Sequence, residues 1–447
     1  MTGGLDALYA KLDQRFPPTQ APAYDRLVVA SGNSNAPVHR WFKMKEAYSP
    51  ALLSSVLGDL DLPEDQPLSI LDPFSGSGTT ATSALLLGRA AETRVLGIEV
   101  NPFLALLSRV KFEVLSLSAK CRVALADEVA QHAKAVLGAR RGPSPKAPDL
   151  AAFRSEQYFP DESLEALMKM RANLFGLATG LSRDLLSVVL ASCVEPCSRL
   201  RKDGRALRFE AGKDAEAPQR AFQERVDVAI KDLRSVGPTG SAKLIAGSSL
   251  AASSWDGVDG LSWDLCLFSP PYPNNIDYSE VYKLEAWFLG LIVDTQGFRA
   301  LRRSTMRSHP SIRFDDDCAP LKELGSDESG TPASVVDELV AALVSAVPED
   351  RYRRQRERTI RGYIRDSHTV MTHAHSKLRA GGALVYVVGN SRHGSPTDGY
   401  TIASDVLLAA LAEDVGFGFK NLKVARNLHR RGRHDHLRES VVFLEKS

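Results

Sequence analysis

The feature that most constrains the fold is a strand–loop–helix–strand pattern in the first quarter of the chain. The apolar run 68–73 (LSILDP) predicts a short buried strand, and a glycine-containing loop separates it from a helical pattern over 80–87. Residues 94–100 predict a second strand and 102–111 a second helix. Strands that alternate with helices form parallel βαβ units. The pattern therefore predicts an α/β fold with a doubly wound, mostly parallel sheet.

The alternating pattern is interrupted and then resumes. Residues 112–240 predict mostly helices, broken by a linker rich in proline, glycine and basic residues at 139–149. Further strands are then predicted at 243–246, 264–268 and 382–389, with a closing antiparallel hairpin formed by 420–428 and 439–445.

Composition excludes several classes of protein. The 447 residues are 44% hydrophobic and 25% charged, without an apolar run of membrane-spanning length or a signal-peptide core, so we expect a cytoplasmic protein with no membrane partner. The five cysteines are scattered and lack the spacing of metal ligands, so we expect neither disulfides nor a metal.

The net charge of +2 says little about partners, but three local clusters are rich in arginine: 299–313, 351–365 and 426–438. Any one cluster alone fits a solvated surface. Together they favour a nucleic-acid partner, because arginine neutralises phosphates.

The loop after the first strand reads DPFSGSGTT over 72–80. Its glycines allow the backbone to approach a ligand closely at the carboxyl end of a parallel strand. A Gly-x-Gly pair alone also fits a dinucleotide fold or a tight turn. However, the third dinucleotide glycine and a phosphate-binding Gly-Lys-Ser/Thr are absent, and Glu99 ends the next strand, where it can accept hydrogen bonds from two ribose hydroxyls.

A second motif, Ser269-Pro270-Pro271-Tyr272, follows the apolar run 265–268. Two prolines stop a strand, and in isolation the tetrapeptide fits a turn. It also offers a hydroxyl, a free carbonyl and an aromatic ring, which suit a planar base with an exocyclic amine. Ser269 Oγ and the Pro270 carbonyl would accept from the amine, and Tyr272 would stack on the base.

Both motifs resemble those of amino-type DNA methyltransferases. The run 72–80 is similar to their motif I, and Ser-Pro-Pro-Tyr is similar to their motif IV in the form typical of N4-cytosine enzymes. The resemblance implies a Rossmann-like class I methyltransferase fold, S-adenosylmethionine as cofactor, and double-stranded DNA with a flipped target base. The cofactor-binding residues that it implies are Asp72, Pro73, Phe74, Gly76, Gly78, Thr79, Glu99 and Asn101.

The chain departs from the family pattern at two places. The family often has an acid after the third strand, near the cofactor adenine, whereas this chain has Ala246-Gly247-Ser248-Ser249, in which Ser248 is the candidate acceptor. The insertion before that strand is also long. In contrast, the predicted helix over 47–60, preceded by HRWFKMKEAY (39–48), resembles the segment that those enzymes place beside the methionine end.

The expected division of the chain follows from the resemblance. It comprises an N-terminal arm (1–37), a cofactor-binding half (38–111), a mainly helical insertion (112–240) and a catalytic half (241–447), whose loop-rich basic part 295–370 is a possible target-recognition element. The candidate DNA-binding residues are Arg302, Arg303, Arg307, Arg430, Arg431 and Arg433.

The expected function is N4-methylation of cytosine in DNA, with a restriction endonuclease as a possible partner in the same restriction-modification system. An N6-adenine methyltransferase uses the same amine chemistry and stays open, as do an RNA methyltransferase and a catalytically silent nucleic-acid-binding module. A 5-methylcytosine enzyme needs a cysteine nucleophile, and Pro196-Cys197 lies in a helical run instead of at a strand end. Asp277 fits either a proton acceptor or a helix cap, with the cap favoured.

Overall fold

An eight-stranded mixed sheet forms the centre of the protein. In this computed structural model the described residues are 3–62, 66–88, 92–138, 156–202, 207–237, 240–258, 262–274, 276–312, 335–395, 399–428 and 436–447. The strands lie in the order β1 (Pro18–Gln20), β11 (Phe417–Asn427), β12 (Arg438–Lys446), β8 (Leu378–Gly389), β7 (Trp263–Phe268), β2 (Ser69–Asp72), β3 (Arg94–Glu99) and β6 (Ser241–Ala246).

Within this sheet, β12 is antiparallel to both of its neighbours, and all other described pairs are parallel. The predicted fold class, with its doubly wound sheet and closing antiparallel hairpin, is therefore confirmed. Two small two-stranded sheets are separate from it: β4 (Leu200–Lys202) with β5 (Leu207–Phe209), and β9 (Ser391–His393) with β10 (Tyr400–Ile402).

The chain changes direction across the sheet between β2 and β7. From β2 it proceeds outward through β3 to β6, and from β7 it proceeds the other way to β8. The two strands pair directly, with Ile70 opposite Leu265 and Leu71 opposite Cys266. Open α/β sheets bind ligands in the crevice outside the carboxyl ends of strands at such a switch point.

Both faces of the sheet are covered by helices. Successive side chains of a strand point to opposite faces, so each strand contributes to two cores. In β7, Leu265 and Leu267 join one core, and Cys266 and Phe268 join the other. The first core includes α2 (Leu52–Asp59) and α3 (Thr79–Leu86). The second includes α1 (Gly3–Arg15), α9 (Ser253–Asp256), α13 (Val335–Ala346), α14 (Arg353–Lys377) and α15 (Ser404–Val415).

A third core contains the helices of the inserted region. It joins α4 (Pro102–Ser116), α5 (Ala119–Leu137), α6 (Asp161–Phe175), α7 (Leu181–Val194) and α8 (Pro218–Ser235) to α10 (Tyr278–Val281), α11 (Lys283–Phe288) and α12 (Thr295–Ser304). The boundary expected at residue 111 falls inside α4. The polar, glycine-rich stretch 201–240 contains α8, whose few apolar residues, among them Phe222 and Val226, lie on one buried face. The expected linker 139–149 lies outside the described residues.

Residues 3–20 pack against the rest of the protein. Leu5, Tyr9, Leu12 and Phe16 are buried, at the spacing of one helix face. Residues 18–20 then pair with β11 as an edge strand. The predicted division missed this because four apolar positions in a polar segment give a weak signal. Among the described residues, none of the helices is long and apolar enough to cross a membrane.

A buried carboxylate joins the insertion to the segment that precedes α2. Asp232, on α8, is fully buried. It accepts hydrogen bonds from Val38 N (2.9 Å), Trp41 Nε1 (3.0 Å) and Arg40 Nε (3.1 Å). A buried charge is tolerated when it is paired and hydrogen-bonded, as it is here.

We expect Asp232→Ala to lower the free energy of unfolding by about 3 kcal/mol, because it leaves a partly buried guanidinium and two buried N–H donors without this acceptor. Arg234→Ala on the same helix is the control. Its ion pair with Asp127 is exposed, so the change should stay within about 0.5 kcal/mol. Urea titration of both variants measures the difference, and equal midpoints would contradict the role of Asp232.

Candidate active site

The first predicted motif forms the loop between β2 and α3. Gly76 and Gly78 have positive φ angles of 53° and 77°, which favour glycine. The loop is anchored on its neighbour β3, because Ser75 N donates to the Ile98 carbonyl (3.0 Å). The backbone of Gly76 faces a cavity at the carboxyl ends of the strands.

Gly78 belongs to the predicted cofactor set but is not among the residues that line the cavity, so its contact with the cofactor stays a prediction. A Cβ atom at Gly78 would lie 2.8 Å from Phe112 Cε1 and 3.0 Å from Ser108 Oγ, so this glycine lets α3 begin close against α4. A second contact from α4 also anchors the loop: Lys111 Nζ donates to the Ser77 carbonyl (2.8 Å).

Glu99 lies at the end of β3 and is held by backbone donors. Gly76 N donates to Oε2 (2.8 Å) and Asn101 N donates to Oε1 (2.7 Å). The Asn101 side chain caps α4 by accepting from Phe103 N (3.0 Å). Burial raises the pKa of Glu99 to about 7 even though these bonds favour the ionised form.

Asp72 lies at the end of β2 and stabilises the loop. Its carboxylate accepts from Phe74 N (3.0 Å) and from the hydroxyl of Thr80, which also contacts the hydroxyl of Tyr48. Burial raises the pKa of Asp72 to about 7. The residue therefore lies in the predicted place, and its hydrogen bonds fix the backbone beside Phe74.

The second motif begins directly after β7. Ser269 Oγ donates to Tyr272 Oη (3.3 Å), and Tyr272 Oη donates to Glu439 Oε1 on β12 (2.9 Å). The tyrosine ring lies against the end of β8, where a Cβ atom at Gly389 would be 2.9 Å from Tyr272 Cε2. Glycine at 389 is thus required by the close approach of this ring.

Both motifs face one cavity of about 450 Å³ at the switch point. It is lined by Asp72, Pro73, Phe74, Gly76, Thr79, Glu99, Asn101 and Ser248 from the predicted cofactor set, and by Ser269, Pro270, Pro271 and Tyr272 from the tetrapeptide. Ser248 Oγ donates to the Ser304 carbonyl (2.7 Å), which ties the loop after β6 to the end of α12. Its contact with the cofactor stays a prediction.

Two other walls complete the cavity. One consists of residues 44–48, which come before α2, the helix that the family resemblance suggested for this side of the site. The other contains Met306 and Ile312, after α12. Glu439 also lines the cavity and was missed from the sequence. Little in the sequence could have found it, because Glu439 stands between Arg438 and Ser440 at the polar start of β12, before the apolar run 441–444. The structure shows that it is only 5% exposed.

The predicted DNA-binding arginines are only partly described. Arg302 Nε donates to Asp277 Oδ2 (3.1 Å), and Arg307 forms an ion pair with Asp366 (2.8 Å). Arg303 lies in the last turn of α12. The remaining three, Arg430, Arg431 and Arg433, lie outside the described residues. DNA contact by any of them stays a prediction.

Asp277 is a helix cap, as favoured from the sequence. Its carboxylate accepts from Ser279 N (3.2 Å) at the start of α10. Burial alone would raise the pKa of Asp277, but the Ser279 hydrogen bonds and the Arg302 guanidinium outweigh it and hold the pKa below its ordinary value.

The alternative nucleophile Cys197 is fully buried, and burial raises its pKa to about 12. Among the described residues, no group of His, Cys, Asp and Glu side chains is arranged to hold a metal ion.

Known proteins with similar sequences were identified, although no family model matches the chain. "Type II methyltransferase M.BsoBI" from Geobacillus stearothermophilus is 23% identical over 475 aligned residues, covering 94% of this chain and 88% of the relative. "Type II methyltransferase M.AvaI" from Nostoc sp. is 23% identical over 436 residues, covering 89% and 83%. The chain is similar to type II methyltransferases over most of its length. S-adenosylmethionine is therefore its methyl donor.

A solved structure also aligns with this methyltransferase, but weakly. The rRNA methyltransferase aviRa from Streptomyces viridochromogenes covers 93% of the chain at 11% identity, with a TM-score of 0.34. That score is too low to establish a shared fold.

The residues of the cavity fit S-adenosylmethionine. The volume of about 450 Å³ lies within the usual range of small-molecule sites. Each Glu99 oxygen accepts one backbone N–H and keeps a lone pair for a ribose hydroxyl. A Cβ atom at Gly76 would lie 3.3 Å from the Met44 side chain on the facing wall of the cavity. Any larger residue at 76 would therefore fill this space, and glycine leaves the loop backbone open to a ligand.

The raised pKa of Glu99 predicts pH-dependent cofactor binding. If ribose hydroxyls donate to the ionised form, affinity is highest above pH 7 and falls as the pH drops through about 7, approaching about tenfold per unit. Calorimetric titration with S-adenosylmethionine over a pH series measures this. Glu99→Gln should bind S-adenosylmethionine more weakly, and its affinity should not change with pH in this range, because glutamine does not titrate. That result would assign the pH dependence to Glu99 and not to Asp72, whose pKa is also raised to about 7. A wild-type affinity that stays constant across the series would contradict the role.

Proposed function

We propose that this methyltransferase transfers a methyl group from S-adenosylmethionine to the exocyclic N4 amine of cytosine in DNA, within a short recognition sequence. The observation that carries the proposal is that Ser269 and Pro270 line the same cavity as Gly76 and Glu99. Donor and acceptor would therefore meet at the switch point of the sheet.

The tetrapeptide supplies what an amine acceptor requires. The lone pair of an exocyclic amine is delocalised into the ring, so the amine is a poor nucleophile. Acceptors at Ser269 Oγ and the Pro270 carbonyl would hold its two N–H bonds and favour a more basic, tetrahedral nitrogen whose lone pair points at the donor. S-adenosylmethionine supplies an activated methyl group with a good leaving group. The protein contributes position and a partly closed cavity.

The similarity to type II methyltransferases supports DNA as the substrate. A base within a duplex must leave the stack to reach this cavity, and Tyr272 is placed to contact it there. A restriction endonuclease as partner belongs to the same proposal. We place target recognition in 295–370, because α12 and the loop after it form one wall of the cavity.

Adenine is the second candidate base, since N6 methylation uses the same amine chemistry and an equivalent pair of acceptors. Serine in the first position of the tetrapeptide favours cytosine, because it is typical of the N4-cytosine form of the motif. A catalytically silent module is disfavoured by the intact serine, prolines and tyrosine facing one cavity.

Incubation with labelled S-adenosylmethionine and double-stranded DNA, followed by digestion to nucleosides, tests the proposal. We expect label in N4-methylcytosine. Label found solely in N6-methyladenine or 5-methylcytosine would overturn the base assignment. A parallel reaction with RNA of the same sequence should give little product, and preferential labelling of RNA would overturn the substrate class.

Replacement of the catalytic hydroxyl gives a second prediction. We expect Ser269→Ala to lower kcat by about 100-fold, because it removes one positioned group at the reacting amine, and to leave the dissociation constant for S-adenosylmethionine nearly unchanged. Single-turnover methylation and calorimetry measure the two effects. Ser376→Ala, which changes an exposed serine on α14 that is not among the cavity-lining residues, is the matched control for loss of a serine hydroxyl. Equal losses of kcat and cofactor affinity in Ser269→Ala would reject the catalytic role.

A further inference from the structure

Methylation of an amine releases a proton, and the roles proposed so far include no group that accepts it. As the nitrogen–methyl bond forms from the nitrogen lone pair, the sulfur–methyl bond breaks and its electron pair returns to sulfur. The nitrogen then carries a positive charge until one N–H proton leaves and its electron pair returns to nitrogen. Two neutral acceptors can orient this amine, but neither is a base that holds the proton.

The structure contains a hydrogen-bonded chain from the tetrapeptide to a carboxylate. Ser269 Oγ donates to Tyr272 Oη (3.3 Å), and Tyr272 Oη donates to Glu439 Oε1 (2.9 Å). All three residues line the cavity. Because each hydroxyl donates along the chain toward Glu439, the lone pairs of Ser269 Oγ stay available to accept from an incoming amine.

We propose that Ser269, Tyr272 and Glu439 form a relay that removes the amine proton, with Glu439 as its final acceptor. The inference rests on the proposed function. In one concerted step the amine proton moves to Ser269 Oγ, the serine proton to Tyr272 Oη and the tyrosine proton to Glu439 Oε1. The products are the neutral methylated amine, restored hydroxyls and a protonated Glu439.

The surroundings of the three groups suit this role. Burial raises the pKa of Tyr272 well above its ordinary value, so the phenol keeps its proton between turnovers. Glu439 is 5% exposed, and its other oxygen accepts from Arg426 Nε (2.7 Å) on β11. The Arg426 side chain is 36% exposed, so the proton can leave to solvent beside it. Tyr278 is a further titratable group beside the relay, and its hydroxyl accepts from Tyr272 N (3.4 Å). Glu46, which lines the same cavity, interacts electrostatically with Tyr278.

Glu439 does not touch the substrate in this scheme, and a purely structural role as partner of Arg426 is the alternative. A glutamine at position 439 distinguishes the two roles, because it can replace the hydrogen-bond acceptor but not the base. Glu439→Gln keeps an oxygen that accepts from Tyr272 Oη but cannot take up a proton. Arg426→Gln removes the ion pair and keeps the carboxylate. Tyr272→Phe keeps the ring against Gly389 and interrupts the relay.

Steady-state methylation of a cytosine-containing duplex by these variants over a pH series tests the relay. We expect Glu439→Gln and Tyr272→Phe each to lower kcat by about 100-fold with little change in KM, since general-base catalysis contributes at least that much. The acid limb of the wild-type kcat profile should disappear in Glu439→Gln. The double variant should lose no more than about one single variant, because both act in one chain. Arg426→Gln should keep most of kcat and the acid limb.

The outcomes separate the two proposals. A wild-type chain that methylates adenine in place of cytosine overturns the base assignment but leaves the relay testable, since that amine also loses a proton. A wild-type chain that methylates no amine overturns both. With an active wild type, an unchanged kcat in Glu439→Gln, or an equal loss in Arg426→Gln, overturns the relay alone. If Glu439→Gln fails to fold by thermal melting, Tyr272→Phe decides, and an unchanged kcat there overturns the relay.

Discussion

The direct pairing of β2 with β7 is the constraint on which the rest of the site depends. Ile70 lies opposite Leu265 and Leu71 opposite Cys266, so the two strands run parallel and end at the same edge of the sheet. Each strand is buried on both faces, which leaves its carboxyl end as the place where polar groups can emerge. The glycine loop and the tetrapeptide therefore open into one cavity although a long insertion separates them in sequence.

Several buried carboxylates lie near this edge of the sheet, and their hydrogen-bond and charge partners determine whether the pKa of each is raised or lowered. Asp72 and Glu99 have neutral partners among their described hydrogen bonds, and burial raises both pKa values. Asp277 accepts hydrogen bonds from Ser279 and also has the Arg302 guanidinium beside it, and its pKa is lowered. A full positive charge added to hydrogen bonds compensates for lost water better than N–H and O–H dipoles alone. Asp72 and Glu99 can therefore change protonation near neutral pH, whereas Asp277 stays ionised and structural.

Local patterns in the sequence were enough to predict seven of the eight strands of the sheet and the two motifs that open into the cavity. Each of these is encoded within a few neighbouring positions, as in the run from Asp72 to Thr80. What was missed depends on contacts between distant residues. Nothing near Glu439 indicates that Tyr272 will reach it, 167 residues away. Likewise Gly78 has the pattern of a ligand-contacting glycine, and only the position of Phe112 shows that helix packing requires it.

The pairing of distant strands also sets the order in which the protein can assemble. Ser69 N bonds Asp264 across 195 residues, and Thr19 bonds the Leu422 carbonyl across 403. Contacts of such sequence separation close large loops and slow folding. The helices α5 to α8 pack on one another through shorter separations and can collapse before those loops close. During synthesis, moreover, β12 is the last of the described strands of this sheet to leave the ribosome, so the complete cavity, with Glu439 in place, forms only after that strand has been made.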